Sequence, residues 1–385
     1  MQLSKAQLRE IWESDRKRDR RQYLILFLVL AAVFIFAMCF RYNSAYYDEK
    51  FVPLFNLKGL FARFSWLYDY FIAKGDLAVP YKEWLEIKDL AAESAAAIAQ
   101  LKVMGMALIS GAAVTIAGAV FQTAYKNPMA SPNIIGATAG VGLGNVLVVW
   151  LFSELAVEHI MLRYGFCYGF SIICVAATLL LGKLAGDKRE NVSVMEMVMV
   201  GSIVGQILNV FMMYMMYNLE DEDLLIYQEL QMGTTTYIDA ASTIIFFSVM
   251  AISVIPVVMM RYKLNVIGMD KMESTSIGID VRPMRLLGQI CGAIMVTCAM
   301  IHFGQVGMLS MVVPYLVRNV VGADFGKVCI YSGVIGGAIM VICKLFSTMF
   351  LLADEFLPAA FIMNLILMPA FLVILAKQGG RKINA

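Results

Sequence analysis

Long apolar runs alternate with short polar connections along most of this chain. An α-helix of roughly 20 residues is long enough to cross the hydrocarbon core of a bilayer. The apolar runs are ten: Tyr23–Phe40, Ile98–Thr123, Asn133–Phe152, Arg163–Gly182, Val194–Tyr217, Tyr237–Met260, Met284–Phe303, Val306–Val321, Val328–Leu352 and Pro358–Ala376. This pattern predicts an all-α integral membrane protein with about ten transmembrane helices.

Small side chains form a stripe along the second run. They recur at every fourth position, at Ala107, Gly111, Thr115 and Ala119. Small residues on one face of a transmembrane helix allow the backbone of a second helix to approach closely. We therefore expect this run to make a close helix–helix contact.

A polar turn, Lys126–Pro132, separates the second run from the third. Pro128 and Pro132 lack a backbone N–H and disfavour helix at the residue before each, so both helices must break here. Asn127 and Ser131 can hydrogen-bond the backbone groups that the break leaves without partners, which matters where water is scarce.

The composition agrees with a membrane protein and excludes a large soluble domain. Hydrophobic residues make up 60% of the chain and charged residues 16%, against roughly 45–50% and about 25% in soluble domains. The net charge of +2 gives no indication of a nucleic-acid partner, and none is predicted.

The distribution of charge predicts the orientation in the membrane. Basic residues lie in alternate connections, at Lys126, Lys183, Lys188, Arg189, Arg261, Lys263, Lys271, Arg318, Lys327, Lys377, Arg381 and Lys382. The intervening connections are acidic, and we interpret the cluster Glu220–Asp223 as a solvated outer loop. Since Lys and Arg are enriched in cytoplasmic connections, both termini are predicted to be cytoplasmic.

The first 97 residues divide into three parts by composition. Residues 1–22 form a basic cytoplasmic tail. Residues 23–40 could be a signal peptide, but the run is long and no A-x-A site follows, so we interpret it as an uncleaved first span. Residues 41–97 are aromatic and are predicted to be an outer-side loop with interfacial helices.

The sequence contains no recognisable catalytic or cofactor site. No G-x-x-x-x-G-K-[ST] motif is present, so any use of ATP requires a separate subunit. The seven cysteines form no CxxC pair and the two histidines are far apart, so no metal site and no cofactor are predicted. Glu196 and Lys344 are the deepest charges in the predicted spans, and this scarcity argues against an ion-coupled secondary transporter.

Two connections on the predicted cytoplasmic side are long or irregular. Arg261–Pro283 is polar and contains two glycines, which suits a plain loop or one or two short helices on the membrane surface. Gly304–Lys327 carries Pro314 within an apolar run, and a proline there is expected to break or kink the helix.

Three blocks of this sequence resemble the FecCD-like permeases, the membrane subunits of type II ABC importers for ferric siderophores, haem and cobalamin. Residues 111–146 resemble GAALALSGALLQ…NPLADP…LLGVSSGAALG, and residues 264–280 resemble LNLLALGEESAKSLGID. Residues 304–327 resemble GPIGFVGLVVPHIARLLVGPDHR, with Gln305 in place of proline and Tyr315 in place of histidine. The likeness covers residues 98–382, which would be the permease core of spans 2–10 with a vitamin-B12-permease-like fold.

The resemblance implies roles for particular residues. A cytoplasmic gate would include the turn Asn127, Pro128 and Met129, facing the connection Ser193, Val194 and Met195. Coupling helices that contact an ATPase would include Asp270, Glu273, Ser274, Ser276 and Gly278, although the family has glycine where Asp270 stands. Pro314 and Arg318 mark the expected helix break. Docking of a binding protein would use Lys102, because the family's R-L-P-R run before the second span is absent here.

The partners implied are ATP-binding cassette ATPase subunits, an extracytoplasmic substrate-binding protein, membrane lipid and a second permease copy, as a homodimer or a paralogous heterodimer. The methionine-rich fifth run, Val194–Tyr217, would line the pathway. A ferric siderophore is the expected cargo, with haem and cobalamin as alternatives. A secondary transporter and a membrane scaffold without transport activity are the other classes considered, and the chain itself is predicted not to be an enzyme.

Overall fold

The computed structural model describes residues 5–39, 91–153, 159–185, 194–233, 240–268, 281–350 and 357–383. This part of the chain is helical. The α-helices are α1 Lys5–Cys39, α2 Ala91–Ala124, α3 Ala137–Phe152, α4 Ile160–Ala185, α5 Val194–Tyr217, α6 Asp221–Met232, α7 Ala240–Met259, α8 Arg261–Gly268, α9 Val281–Phe303, α10 Gly307–Val321, α11 Phe325–Phe350 and α12 Ala359–Ile383. A short 3₁₀ helix, Pro132–Ile135, precedes α3.

The predicted apolar runs coincide with observed helices. Within the described ranges, seven helices are long and apolar enough to cross a membrane, and α3, α10 and the Ala359–Val373 part of α12 are shorter apolar helices. Helix α5 has both predicted ends. Helix α1 joins the basic tail and the first apolar run without a break.

Helix α2 lies at the centre of the bundle and packs against α9, α10 and α11. Its stripe of small residues explains this position. Thr115 donates a 2.8 Å hydrogen bond to the carbonyl of Ser332 in α11, and a Cβ on Gly111 would overlap the backbone of Gly336. The predicted close contact is therefore the contact between α2 and α11. Helix α2 begins at Ala91, inside the segment predicted as an outer loop, and the rest of that loop lies outside the described residues.

Helix α6 is a difference from the sequence prediction. The cluster Glu220–Asp223 was interpreted as a loop, but Asp221, Glu222 and Asp223 form the first turn of a helix. Carboxylates are favourable there because the helix dipole is positive at the N-terminus. Tyr227 and Leu230, three positions apart on one side of the helix, are buried, so the segment is an amphipathic helix that packs on the bundle.

Helix α8 forms the first part of the Arg261–Pro283 connection. Its apolar face buries Leu264 and Ile267, which are 0% and 2% exposed, against α2, α9 and α11. A short helix was expected there, but the observed one packs into the bundle because these two side chains lie on one face. Residues 269–280 are outside the described part of the chain.

Candidate functional site

The Lys126–Ser131 turn is held by its own backbone and by one side chain. The Oδ1 atom of Asn127 accepts a 2.9 Å hydrogen bond from the N–H of Met129, and the carbonyl of Asn127 accepts one of 3.1 Å from Ala130. The predicted backbone-bonding role of Asn127 is thus observed as a tight side-chain turn, whereas Ser131 makes no capping hydrogen bond to the following 3₁₀ helix. Burial raises the pKa of the Tyr125 phenol just before the turn, so this group remains neutral.

Helix α10 is fastened to the last turns of α2 by two polar side chains. Arg318 donates to Thr123 Oγ1 at 2.6 Å, to the carbonyl of Ala119 at 3.1 Å and to Gln122 Oε1 at 3.2 Å. Gln122 in turn donates from Nε2 to the carbonyl of Met311 at 3.0 Å. Arg318 therefore joins α10 to the end of α2 that leads into the turn.

Pro314 lies inside α10, which runs through it from Gly307 to Val321 without ending. Proline cannot donate to the carbonyl four residues before it, which here belongs to Ser310. Gly118 of α2 lies against this carbonyl so closely that a Cβ would overlap it, and Gln122 Nε2 donates to the carbonyl of the next residue, Met311. Helix α2 thus packs directly against α10 one turn before the proline, and α10 stays continuous.

Helix α8 is connected to the same region. The N–H of Phe325, the first residue of α11, donates a 2.6 Å hydrogen bond to Asn265 Oδ1. A cavity of about 520 Å³ opens between α2 and its following turn, α8, the last turn of α10 and the connection that leads into α11. Its lining residues are Gln122, Thr123, Lys126, Pro128, Asn265, Arg318, Ala323 and Asp324.

The opposite end of the bundle contains a buried arginine that the sequence reasoning missed. Arg163 is 1% exposed and donates to the carbonyls of Leu230 and Ile301 at 2.7 and 2.9 Å and to Asn145 Oδ1 at 3.1 Å. These carbonyls lie near the C-termini of α6 and α9, where the helix dipole favours a cation. The sequence places Arg163 at the start of a span. Only its three hydrogen bonds reveal that it joins α4 to α3, α6 and α9.

The buried His302 has ordinary structural partners. His302 shares a 2.6 Å hydrogen bond with Tyr164 and a 2.9 Å one with the carbonyl of Cys298. Within the described residues, no group of three His, Cys, Asp or Glu side chains could hold a metal ion. The histidine is therefore a satisfied residue of the helix core.

Helix α5 exposes most of its surface in the single chain. Met212 and Met215 are buried, 7% and 5% exposed, against α3 and α6, whereas Met213 is 69% exposed. The methionines thus divide between packing and an open face. That open face also carries Ser202, Gln206 and Asn209, spaced so that they lie on one side of the helix.

The two exposed amides of α5 are unusual in this molecule. Gln206 and Asn209 lie in the middle of the span Met199–Tyr217. Other exposed amide or charged side chains in the described spans lie near span ends, as Gln22, Lys183 and Asn319 do. An amide exposed to hydrocarbon is costly because nothing there replaces its hydrogen bonds to water. This face of α5 is therefore suited to water or to a polar partner.

Only part of the predicted site is described. Val194 and Met195 begin α5, while Ser193 and the predicted coupling residues Asp270, Glu273, Ser274, Ser276 and Gly278 lie outside the described residues. Lys102 is half-buried in α2, at the end remote from Asn127. The structure brings Asn127, Pro128 and Arg318 together at one end of α2.

The family model of the FecCD transport family matches residues 65–377. The chain is 26% identical over 280 residues to the uncharacterized ABC transporter permease protein YvrB of Bacillus subtilis, an alignment that covers 72% of this chain and 78% of the relative. It is 25% identical over 279 residues to the molybdate import system permease protein MolB of Haemophilus influenzae, covering 71% and 79%. Identity to the hemin transport system permease protein HmuU of Yersinia pestis is 22% over 273 residues, covering 71% and 80%.

A solved structure supports the same fold. An inward-facing conformation of a metal-chelate type ABC transporter superposes with a TM-score of 0.70 and 18% sequence identity, covering 93% of this chain and 99% of that chain. At this identity the comparison establishes the helical architecture alone. The relatives are permease subunits, which are transport components rather than enzymes.

Proposed function

Because the chain belongs to the FecCD transport family, and is thus a multi-span ABC transporter permease, we propose that it passes a ferric siderophore from a substrate-binding protein to the cytoplasm. The observation that carries the proposal is the family match over residues 65–377 on a helical bundle of the same architecture. Haem is the second cargo considered, since one relative is a hemin permease. Cobalamin remains a further alternative.

We propose an orientation with both termini in the cytoplasm, which the alternation of basic connections supports. The turn Asn127–Met129 then lies at the cytoplasmic end of α2, next to Arg318 and the cavity. In this arrangement the turn, with Ser193, Val194 and Met195, forms the cytoplasmic gate. Residues 269–280, directly after α8, contact the ATPase, and Lys102 lies on the outer side, where a binding protein docks.

The pathway is proposed to run along α5 between this chain and a second permease copy. The exposed Gln206 and Asn209 support it, because a mid-span amide is stable beside water and costly beside lipid. A polar face also suits a hydrogen-bonding cargo that must pass without being held tightly. The protein's role is to change which side of this pathway is open, which requires that its two states bind the ATPase and the loaded binding protein with different affinity.

The direct test is ATP hydrolysis in proteoliposomes that contain this chain and its ATPase, with and without cargo-loaded binding protein. We expect loaded binding protein to stimulate hydrolysis, and a panel of ferric siderophores, haem and cobalamin to identify the cargo. If the chain recruits no ATPase, the proposal fails, and uptake that persists with an inactive ATPase would favour a secondary transporter.

A further inference from the structure

Helix α8 joins the proposed coupling segment to the helix bundle. Its last residue, Gly268, is followed directly by residues 269–280. Leu264 and Ile267 fix α8 by burial against α2, α9 and α11. Packed protein interiors transmit displacement because they compress little, so a force on the segment reaches the bundle through α8.

From α8 the next contact is polar and short. The side chain of Asn265 accepts the 2.6 Å hydrogen bond from the N–H of Phe325, a residue that is 0% exposed. This N–H is in the first turn of α11 and has no partner within the helix. Asn265 thus ties α8 to the junction between α10 and α11.

That junction is close to Arg318, which lies in the last turn of α10. The guanidinium group contacts Ala119, Gln122 and Thr123 in the last turns of α2. The backbone carbonyl of Gln122 accepts a 3.2 Å hydrogen bond from the N–H of Asn127. One side chain therefore contacts the residues that position the turn.

The side of this linkage that faces the cavity is not closely packed. Asn265, Gln122 and Arg318 all line the 520 Å³ space together with Pro128 of the turn. Side chains beside an open space can change position without displacing a packed core. These three side chains are thus held by hydrogen bonds to the helices, while the cavity leaves them room to change rotamer.

We propose that Asn265, Arg318 and Gln122 form a relay that transmits movement of the coupling segment to the gate turn. They are positioning residues, since none is assigned to contact cargo or ATP. The inference rests on the proposed function, because it uses the gate and the coupling segment assigned there. It adds to that function the specific side chains through which ATP binding changes the gate.

The test uses a cysteine reporter on the turn, Met129→Cys, in the complete complex with the ATPase in nanodiscs. Met129 is 44% exposed, so a water-soluble maleimide should label the reporter faster than it labels the buried cysteines Cys167, Cys174, Cys291, Cys298, Cys329 and Cys343. The chain without the reporter gives the background. We measure the labelling rate with and without ATP plus vanadate, together with ATP hydrolysis in the absence of vanadate.

We expect ATP to change the labelling rate of the reporter in the parent chain. Arg318→Gln and Asn265→Ala should each reduce this change about twofold to thirtyfold, the range expected of residues that couple two sites, while hydrolysis is retained. The double variant should lose no more of the ATP-dependent change in labelling rate than the stronger single variant does. If both residues act in one relay, breaking it at a second point has no further effect. Arg318→Lys should restore part of the response, since a charged donor remains.

Asn319→Ala is the matched control, since Asn319 is exposed beside Arg318 and should leave the response unchanged. An unaltered ATP response in both single variants, additive losses in the double variant, or equal losses of hydrolysis and response would overturn the relay. A parent reporter that does not respond to ATP would overturn the proposed gate, and the relay with it.

Discussion

At the scale of single residues, the polar side chains of this protein act mainly on backbone groups. Asn127 closes the turn after α2, Arg163 binds carbonyls of two other helices, and Gln122 binds a carbonyl near Pro314. In a membrane each unsatisfied backbone group is expensive, since lipid offers no hydrogen bonds. The candidates for a functional role are therefore side chains that hydrogen-bond the backbone of a segment proposed to move, as Asn127 does in the gate turn.

Asn127→Ala removes the acceptor for the N–H of Met129, a hydrogen bond worth about 0.5–1.5 kcal/mol. The change is small beside total stability, so we expect the complex to assemble while cargo leakage or transport changes. Asn127→Asp keeps the acceptor and is the matched control. Assembly can be followed by size-exclusion chromatography and leakage in proteoliposomes. Loss of folding in Asn127→Ala alone would instead indicate a purely structural turn.

At the scale of elements, glycines determine how closely two helices approach, because glycine has no Cβ atom. Gly118 and Gly111 allow α2 to approach α10 and α11 until backbone atoms touch. Gly105 of the same helix has its nearest neighbour, a ring carbon of Phe247, 4.0 Å from an added Cβ. Close helix packing therefore requires glycine at Gly111 and Gly118 of α2, but not at Gly105 of the same helix.

Gly118→Ala should destabilise the protein by about 1–3 kcal/mol, the usual cost of overpacking, because its Cβ overlaps the carbonyl of Ser310. Gly105→Ala is expected to be neutral or stabilising by up to about 1 kcal/mol, since alanine favours helix over glycine. Thermal unfolding in one detergent compares the two variants. Equal unfolding temperatures would contradict the packing described for α2 and α10.

The segment after α8 provides a second test at this scale. Gly278→Pro, or reversal of the charge at Glu273, should weaken co-purification of the ATPase, because both change the surface proposed to contact it. The exposed Lys183 lies in the last turn of α4, on the same proposed side, so Lys183→Glu serves as a control for general charge effects. If both variants co-purify with the ATPase as well as the parent chain does, the coupling residues are assigned wrongly.

At the scale of the whole molecule, the question for the open face of α5 is whether it borders a water-filled pathway or contacts lipid. Ile207 is 63% exposed and lies one position after Gln206, but neighbouring positions on a helix point in different directions. A water-filled pathway along Gln206 and Asn209 would therefore admit water to one of these two positions and not to the other. The test needs the assembled complex, because in the proposed arrangement a second copy completes this face.

Gln206→Cys should react with a water-soluble maleimide in the assembled complex at least about tenfold faster than Ile207→Cys, because thiolate formation in hydrocarbon is strongly disfavoured. Labelling of intact proteoliposomes followed by mass spectrometry gives both rates. Equal slow rates at the two positions would place this face against lipid or against a dry protein contact.

The apolar runs alone determined the membrane location, the all-helical fold and the close contact on α2, because run length and small-residue spacing are local properties. The tertiary structure decided which methionines of α5 are packed and that Pro314 lies in a continuous helix. It also decided the partners of Arg163 and Arg318. Arg318 meets Gln122 across 196 positions, and Arg163 meets Ile301 across 138. Side chains so distant in sequence are brought together only by helix packing, which no local pattern encodes.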